Sequence, residues 1–243
     1  ATVASILHWN AIPVFADIEK ETFNLDPRSV EKNITPYTKA ILSVDIFGHS
    51  ADVDALMAIA SRYGLRVISD TAQSPGAYYK DRLAGTLSDI GGYSLNYHKQ
   101  IQTGEGGIVV TDNDELADRT RLIRNHAEAV VQDMGISNLS NMLGYNFRLG
   151  EIESAIGIEQ LKKLAPLVQS RQHAGERLAA GLNELEGLRG PVIQYGNTHA
   201  YHVYPLVLDL ELLQLDRNTI HQALVAEGIE EMAAGYTNLH LLP

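Results

Sequence analysis

The stretch Gly91–Gly107, GGYSLNYHKQIQTGEGG, carries the pattern that decides the fold. An apolar, strand-like run around Ser94 is followed by Lys99 and then by a glycine-rich turn. The earlier stretch Val67–Gly76, VISDTAQSPG, is another strand-like run, and Asp70 closes it. Ligands of open α/β sheets bind beyond the carboxyl ends of the strands. We therefore expect Asp70 and Lys99 to converge on a small ligand.

Strand-like and helical segments alternate outward from this stretch. The predicted strands are Ile12–Asp17, Thr38–Val44, Leu65–Ser69, Gly91–Leu95 and Gly107–Thr111. The predicted helices are Ala51–Tyr63, which Gly64 ends, and Asp114–His126. Strands that alternate with helices predict an α/β domain with a mostly parallel sheet.

The second half of the chain has a different pattern. Residues 150–185 show almost continuous helical spacing, interrupted by Pro166. His199–Leu208 predicts a strand and Asn218–Glu227 a helix. We predict a large α/β cofactor-binding domain over residues 1–165, a bridging helix over residues 166–185, and part of a smaller α+β domain over residues 186–243.

Composition excludes several classes of function. The chain has 243 residues, 19 Lys+Arg and 30 Asp+Glu, and a net charge of −11, so a nucleic-acid binder is not expected. The absence of cysteine excludes disulfide scaffolds, Cys-ligated zinc and thiol catalysis. No apolar run is long enough to span a membrane and no secretory signal is present, so the predicted location is the cytoplasm.

Taken singly, the polar residues do not decide the function. An Asp at a strand end is more often a helix cap or a turn residue, and a loop Lys is usually solvated. The GEGG turn could cradle phosphate, but it matches neither a dinucleotide-binding nor a Walker pattern. His199 and His202 are three residues apart on a predicted strand and would face opposite ways, so we expect no metal site.

The order and spacing of three stretches are more informative. The stretches Val67–Gly76 and Gly91–Gly107, followed by Gly144–Leu161 (GYNFRLGEIESAIGIEQL), closely resemble the DegT/DnrJ/StrS family of pyridoxal-phosphate (PLP) sugar aminotransferases. The resemblance covers essentially the whole chain. It implies the aspartate-aminotransferase-like fold, called fold type I, with a mostly parallel central sheet flanked by helices. Because family members are usually longer, we expect these 243 residues to lack an amino-terminal segment and part of the small domain.

The resemblance assigns roles to five residues. Lys99 matches the lysine that forms the internal Schiff base with PLP, and Ser94, five residues earlier, matches a hydroxyl that binds the cofactor phosphate. Asp70 matches the carboxylate that faces the pyridine nitrogen. Gln73 matches a side chain near the phenolic oxygen of the cofactor, and Asn146 matches an asparagine that reaches the cofactor phosphate of the neighbouring subunit.

The resemblance also implies an activity. We expect a homodimeric aminotransferase with shared active sites that moves an amino group, from glutamate, to a nucleotide-linked keto-sugar in amino-sugar or surface-polysaccharide biosynthesis. A PLP-dependent sugar dehydratase of the same fold is an alternative, because those enzymes replace the lysine with histidine and His98 precedes Lys99. Counting five residues from Ser94 favours Lys99. A non-catalytic relative is the second alternative.

Overall fold

A computed structural model describes residues 1–128 and 142–241. The chain divides into two compact units. The first unit contains Ala1–His173 and Ile193–Val203, and the second contains Ala174–Val192 and the residues from Tyr204 onward. The domain boundaries that we drew from the sequence remain a prediction.

A four-stranded sheet organises the first unit. Its strands are β1 (Ala40–Val44), β2 (Arg66–Asp70), β5 (Ile90–Ser94) and β6 (Gly107–Val110), in the order β1-β2-β5-β6. β1 pairs with β2, and β2 with β5, in parallel, whereas β6 runs antiparallel to β5. The predicted α/β class with a mostly parallel sheet is therefore confirmed, and four of the six predicted strands form within two residues of their predicted ends.

Helix α3 (Val53–Tyr63) begins two residues after its predicted start at Ala51 and ends where the sequence predicts. The Asp52 side chain accepts a hydrogen bond from the Ala55 backbone N–H and caps the first turn. Gly64 adopts the left-handed conformation, φ +66°, that closes helices at this position. The apolar face of α3 packs on the sheet. The resulting core contains Val30, Ile41, Ala51, Leu56, Ile59, Ala60 and Val67.

The remaining elements of the first unit are shorter or peripheral. A hairpin is formed by β3 (Tyr78–Tyr79) and β4 (Arg82–Leu83). The helices are α1 (Thr2–His8), α2 (Pro27–Lys32), α4 (Asp114–Arg124) and α5 (Glu151–Leu161). Helix α6 (Leu164–Leu182) begins in this unit and continues into the second. The predicted helical stretch 150–185 is thus two helices, and Pro166 lies in the first turn of α6, where its missing N–H costs no hydrogen bond.

The predicted strand Ile12–Asp17 is wrong. The segment belongs to no strand, and its only backbone bridge lies just beyond it, between Ile18 and Leu25. Pro13 lacks the N–H that a ladder needs, and Ile12 is 87% exposed. The apolar pattern correctly indicated an extended segment, but no strand among the described residues pairs with it.

The predicted strand His199–Leu208 is also wrong over most of its length, because only Val207–Leu208 form a strand. The segment after His199 folds around Gly48 instead. The Ala200 N–H donates to the Gly48 carbonyl, and the Val203 N–H donates to the Phe47 carbonyl. Tyr201 has φ +44°, which no regular strand contains.

The second unit contains β7 (Leu188–Arg189) paired antiparallel with β8 (Val207–Leu208), and helices α7 (Leu210–Leu213) and α8 (Arg217–Ala226). The observed α8 confirms the helix predicted over Asn218–Glu227, and the Asp216 carboxylate caps it. None of the helices in the described ranges combines the length and the apolar character that a transmembrane span requires.

Candidate active site

A cavity of about 600 Å³ opens at the carboxyl ends of β1, β2 and β5 in the first unit. Three residues singled out from the sequence line it: Asp70, Ser94 and Lys99. Thr2 and Glu105, which the sequence analysis did not single out, line it as well. The structure therefore brings together the carboxylate, hydroxyl and amine that were predicted to meet.

Sheet register explains why Asp70 and Ser94 share one face. Asp70 is the last residue of β2 and lies opposite Gly92 of β5 in the parallel pair. Ser94 is two residues further along β5, and side chains two residues apart point to the same side of a sheet. Because Gly92 has no side chain, the surface between the carboxylate and the hydroxyl is open to the cavity.

Both oxygens of the Asp70 carboxylate accept hydrogen bonds. The Thr2 hydroxyl donates to Oδ2 at 2.6 Å, and the Ala72 backbone N–H donates to Oδ1 at 3.1 Å. An ionised carboxylate has about four lone-pair positions, so two remain for a ligand. Asp70 can therefore accept a third, charge-assisted hydrogen bond from a group in the cavity.

The loop after β5 positions Lys99 through a chain of local hydrogen bonds. The Ser94 hydroxyl oxygen accepts from the Asn96 N–H at 3.2 Å, and the Asn96 side-chain oxygen accepts from the His98 N–H at 3.1 Å. The Lys99 N–H donates to the Asn96 carbonyl at 2.9 Å. The Asn96 amide also donates to Glu105 Oε1 at 2.7 Å, which ties this loop to the glycine-rich turn.

Lys99 has an altered acidity. Burial lowers the pKa of its amine below the usual value for lysine, and the negative charge of Asp70 acts in the opposite direction. A lower pKa increases the fraction of neutral amine near neutral pH, and only the neutral amine is a nucleophile. Lys99 is therefore suited to attack an electrophilic carbon in the cavity.

Gln73 is not among the residues that line this cavity. Its side-chain oxygen accepts a hydrogen bond from the Phe47 N–H at 2.7 Å, and its carbonyl accepts one from the Gln100 side chain at 3.0 Å. The first bond connects the segment after β2 to the turn after β1, and the second connects it to the loop after β5. The role of Gln73 near a phenolic oxygen remains a prediction.

Asn146 is also separate from the cavity. It is exposed and forms a backbone bridge with Asn125, whose side-chain oxygen accepts a hydrogen bond from Arg148 at 2.7 Å. The two following residues, Phe147 and Arg148, line a second cavity of about 350 Å³. Within a single chain, the structure does not bring Asn146 to Asp70, Ser94 and Lys99.

Sequence reasoning missed Thr2, Asn96 and Glu105. Thr2 contacts a carboxylate 68 positions away, and nothing in its local pattern indicates that contact. Asn96 and Glu105 lie inside the stretch that decides the fold, where short polar side chains in a loop signal local capping. Among residues 1–128 and 142–241, no group of three or more His, Asp and Glu side chains could hold a metal ion.

Comparisons with known proteins agree with this geometry. The sequence model of the DegT/DnrJ/EryC1/StrS aminotransferase family matches residues 1–243. An L-glutamine:2-deoxy-scyllo-inosose aminotransferase of Streptoalloteichus tenebrarius is 35% identical over 99% of this chain and 58% of that protein.

Solved structures extend the comparison. Helicobacter pylori PseC, an aminotransferase involved in the biosynthesis of pseudoaminic acid, has a TM-score of 0.85 and 29% identity over 99% of this chain and 64% of its own. E. coli GDP-4-keto-6-deoxy-D-mannose-3-dehydratase with bound hydrated PLP has a TM-score of 0.81 and 26% identity over 92% of this chain and 60% of its own. The chain spans less than two thirds of the length of each of these proteins.

Proposed function

Because the chain belongs to the DegT/DnrJ/EryC1/StrS aminotransferase family, we propose that it is a PLP-dependent aminotransferase. The observation that carries this proposal is that Asp70, Ser94 and Lys99 all line the same cavity. A carboxylate, a hydroxyl and an amine of lowered pKa are the groups that PLP chemistry requires. Here Asp70 and Ser94 end their strands, and Lys99 lies in the loop after β5.

The residues of the cavity fit the cofactor. PLP presents a pyridine nitrogen, an aldehyde and a phosphate, and the cavity offers one suitable group for each. The remaining lone pairs of Asp70 can accept the pyridinium N–H, and the Ser94 hydroxyl can donate to a phosphate oxygen. The Lys99 amine is the group that can bond to the aldehyde carbon, since an imine requires a primary amine.

When bound, PLP withdraws electrons from the substrate carbon that carries the amino group. Asp70 keeps the proton on the pyridine nitrogen, because a carboxylate that accepts a charge-assisted hydrogen bond favours the protonated ring. Lys99 would hold the cofactor through its amine and, when that amine is free, would move a proton at the substrate carbon that bears the amino group. General acid–base help of this kind contributes roughly 10²–10⁴-fold in rate.

The proposed substrates are a keto-sugar, linked to a nucleotide, and glutamate as the amino donor. The aminotransferases similar to this chain support a sugar-like acceptor, since one acts on 2-deoxy-scyllo-inosose and another serves the biosynthesis of pseudoaminic acid. We place the activity in amino-sugar or surface-polysaccharide biosynthesis. A cytoplasmic location is proposed on the sequence alone.

A sugar dehydratase of the same fold is the competing function, supported by the similarity to the E. coli 3-dehydratase. Such an enzyme would use a histidine in place of the lysine. Lys99 lines the cavity, whereas His98 is exposed and its ring packs against that of Tyr97, with ring centroids 3.8 Å apart. This placement supports Lys99 as the reacting residue and an aminotransferase as the function.

The proposed assembly is a homodimer in which each Asn146 reaches the cofactor of the other subunit. Helix α5, just after Asn146, has no buried residue, although it carries an apolar stripe. Ile152 is 75% exposed and Ile158 62% exposed, so the stripe does not pack on the sheet of its own chain. An exposed apolar stripe next to Asn146 supports burial against a second copy of the chain.

Exposed aromatic rings lie beside Asn146, just before the exposed apolar stripe of α5. Tyr145 and Phe147 flank Asn146 and stack with ring centroids 5.0 Å apart, and Trp9 meets Tyr145 edge-on at 5.6 Å. Phe147 is 57% exposed and Trp9 48% exposed. Large aromatic side chains that remain exposed are enriched in subunit interfaces, which supports the dimer further.

The proposed function is tested by adding PLP and then L-glutamate to the purified chain. We expect a new visible absorption band with PLP, its loss on addition of L-glutamate, and the release of 2-oxoglutarate. A band that persists with L-glutamate and no release of 2-oxoglutarate would favour the dehydratase. No band at all would favour a non-catalytic relative.

A further inference from the structure

We propose that Thr2 is a positioning residue that sets the orientation of the Asp70 carboxylate. This inference rests on the proposed function, because Asp70 acts there as the partner of the pyridine nitrogen. Thr2 does not itself need to touch the cofactor. It acts through the hydrogen bond of 2.6 Å from its hydroxyl to Asp70 Oδ2.

Both oxygens of the Asp70 carboxylate are held by hydrogen bonds. The Ala72 N–H fixes Oδ1 from the chain that follows β2, and the Thr2 hydroxyl fixes Oδ2 from a different element, helix α1. A carboxylate with only the Ala72 bond could still rotate about its last side-chain torsion, which is a broad and soft torsion in aspartate. The Thr2 bond removes that freedom and leaves the remaining lone pairs directed toward a ligand.

The two partners are themselves fixed. The Asp70 carbonyl accepts a hydrogen bond from the Asp45 N–H at 2.9 Å, which continues the β1–β2 pairing past the strand end. The Thr2 carbonyl accepts one from the Ser5 hydroxyl at 2.7 Å, inside the first turn of α1. Thr2, Ser5 and Asp70 all line the cavity, so the bond lies at the site and not behind it.

The direction of the hydrogen bond matters for the chemistry. An ionised carboxylate can only accept, so the Thr2 hydroxyl donates, and the lone pairs that remain on Asp70 can bind only a group that donates. The protonated ring nitrogen of PLP is such a group. Without the hydroxyl, the carboxylate can turn away from the ring, its hydrogen bond to the ring nitrogen weakens, and that nitrogen holds its proton less firmly.

The experiment compares three variants of the full chain with the unsubstituted protein. Thr2→Val removes the hydroxyl at nearly constant shape, Thr2→Ala removes it with a smaller side chain, and Thr2→Ser retains it. Thr120→Val is the matched control, since among the described residues its hydroxyl bonds only to backbone carbonyls of helix α4, and Thr120 lines neither cavity. The probe is PLP labelled with ¹⁵N in its ring, and the readouts are its Kd and the ring-nitrogen chemical shift.

We expect Thr2→Val and Thr2→Ala to raise the Kd of PLP about tenfold, the size expected for one lost hydrogen bond to a charged group. In both variants the ¹⁵N shift should move toward that of unprotonated pyridine, while Thr2→Ser and Thr120→Val keep both values. Unchanged Kd and shift in Thr2→Val and Thr2→Ala would overturn the inference. So would equal losses in Thr2→Ser, because the hydroxyl would then not be the cause.

The same data separate this inference from the proposed function. If the unsubstituted chain does not bind PLP, the proposed function fails and the role of Thr2 fails with it. If the unsubstituted chain binds PLP with a protonated ring nitrogen and all Thr2 variants match it, only the role of Thr2 is contradicted.

Discussion

Lys99 and Asp70 line the same cavity, and the negative charge of Asp70 acts on the amine of Lys99. Burial lowers the pKa of the Lys99 amine, and the Asp70 carboxylate offsets part of that lowering. The pair therefore sets how much neutral amine is available at a given pH.

Asp70→Asn should lower the pKa of Lys99 further, since it removes the charge that stabilises the ammonium form. Competitive labelling with acetic anhydride between pH 7 and pH 11, read by mass spectrometry at Lys99, measures this pKa. We expect the midpoint to move to lower pH in Asp70→Asn and to stay in place in Asp118→Asn, a carboxylate on helix α4 outside the cavity. A midpoint that is unchanged or higher in Asp70→Asn would show that the two groups do not interact.

Gly91 should be far less tolerant of substitution than its neighbour Gly92. A Cβ on Gly91 would overlap with the Gly85 carbonyl oxygen, so the backbone of one segment must move. A Cβ on Gly92 would meet nothing within 4 Å. Urea unfolding should show a loss of about 3 kcal/mol for Gly91→Ala and a change within about 0.5 kcal/mol for Gly92→Ala. Equal effects at both glycines would contradict the described packing of β5.

Stability should fall on acidification below pH 6.5. Burial lowers the pKa of His49 to about 4, and burial together with the nearby His49 lowers that of His199 to about 3. Both are neutral in the folded protein, whereas the unfolded chain binds protons below about pH 6.5, so stability rises with pH through this window. Asp45 has the opposite effect on the pH dependence of stability, because burial raises its pKa to about 6 and the folded protein binds a proton there before the unfolded chain does.

Burial also lowers the pKa of His202 to about 4. Three histidines outweigh one aspartate, so we expect the free energy of unfolding to fall by about 4 kcal/mol between pH 7 and pH 5. Urea titrations at each pH measure it. Asp45→Asn removes the opposing group and should make the fall larger. A stability that is constant or higher at pH 5 would contradict the neutral buried histidines.

The parts of the fold that could be predicted are those with a local cause. The strands around Ile41, Val67 and Val109 are apolar runs closed by polar or glycine residues, and α3 has its capping Asp52 and Gly64 in the sequence itself. The segments that were wrong depend on a distant partner. Ile12–Asp17 has strand-like residues without a strand to pair with among the described residues, and His199 begins a segment whose hydrogen bonds go to the turn at Gly48.

The candidate site shows the same division. Asp70 ends β2 and Lys99 lies in the loop after β5, so the rule that ligands bind at strand ends was sufficient to expect these two together. Ser94 was expected there from the resemblance to the family. Thr2 could not be expected, because its contact depends on the path of α1 across the end of β2. The roles of Gln73 and Asn146 rest on the resemblance to the family, and they stay predictions.

A shared active site predicts complementation between two inactive variants. Lys99→Ala lacks the amine and Asn146→Asp places a negative charge where the phosphate of the partner's cofactor would lie. Mixed under conditions that exchange subunits, they should form heterodimers with one intact site and recover part of the 2-oxoglutarate release from L-glutamate and PLP. If exchange is demonstrated and no activity returns, Asn146 does not serve the other subunit.

The most direct test of the account is to find where PLP attaches. The chain is incubated with PLP, reduced with borohydride and digested, and the mass of each lysine-containing peptide is measured. We predict that the added mass lies on Lys99, that Lys99→Ala abolishes it, and that Lys163→Ala, which changes an exposed lysine between α5 and α6, leaves it intact. Label spread over the exposed lysines, or label that survives Lys99→Ala at full yield, would contradict the account.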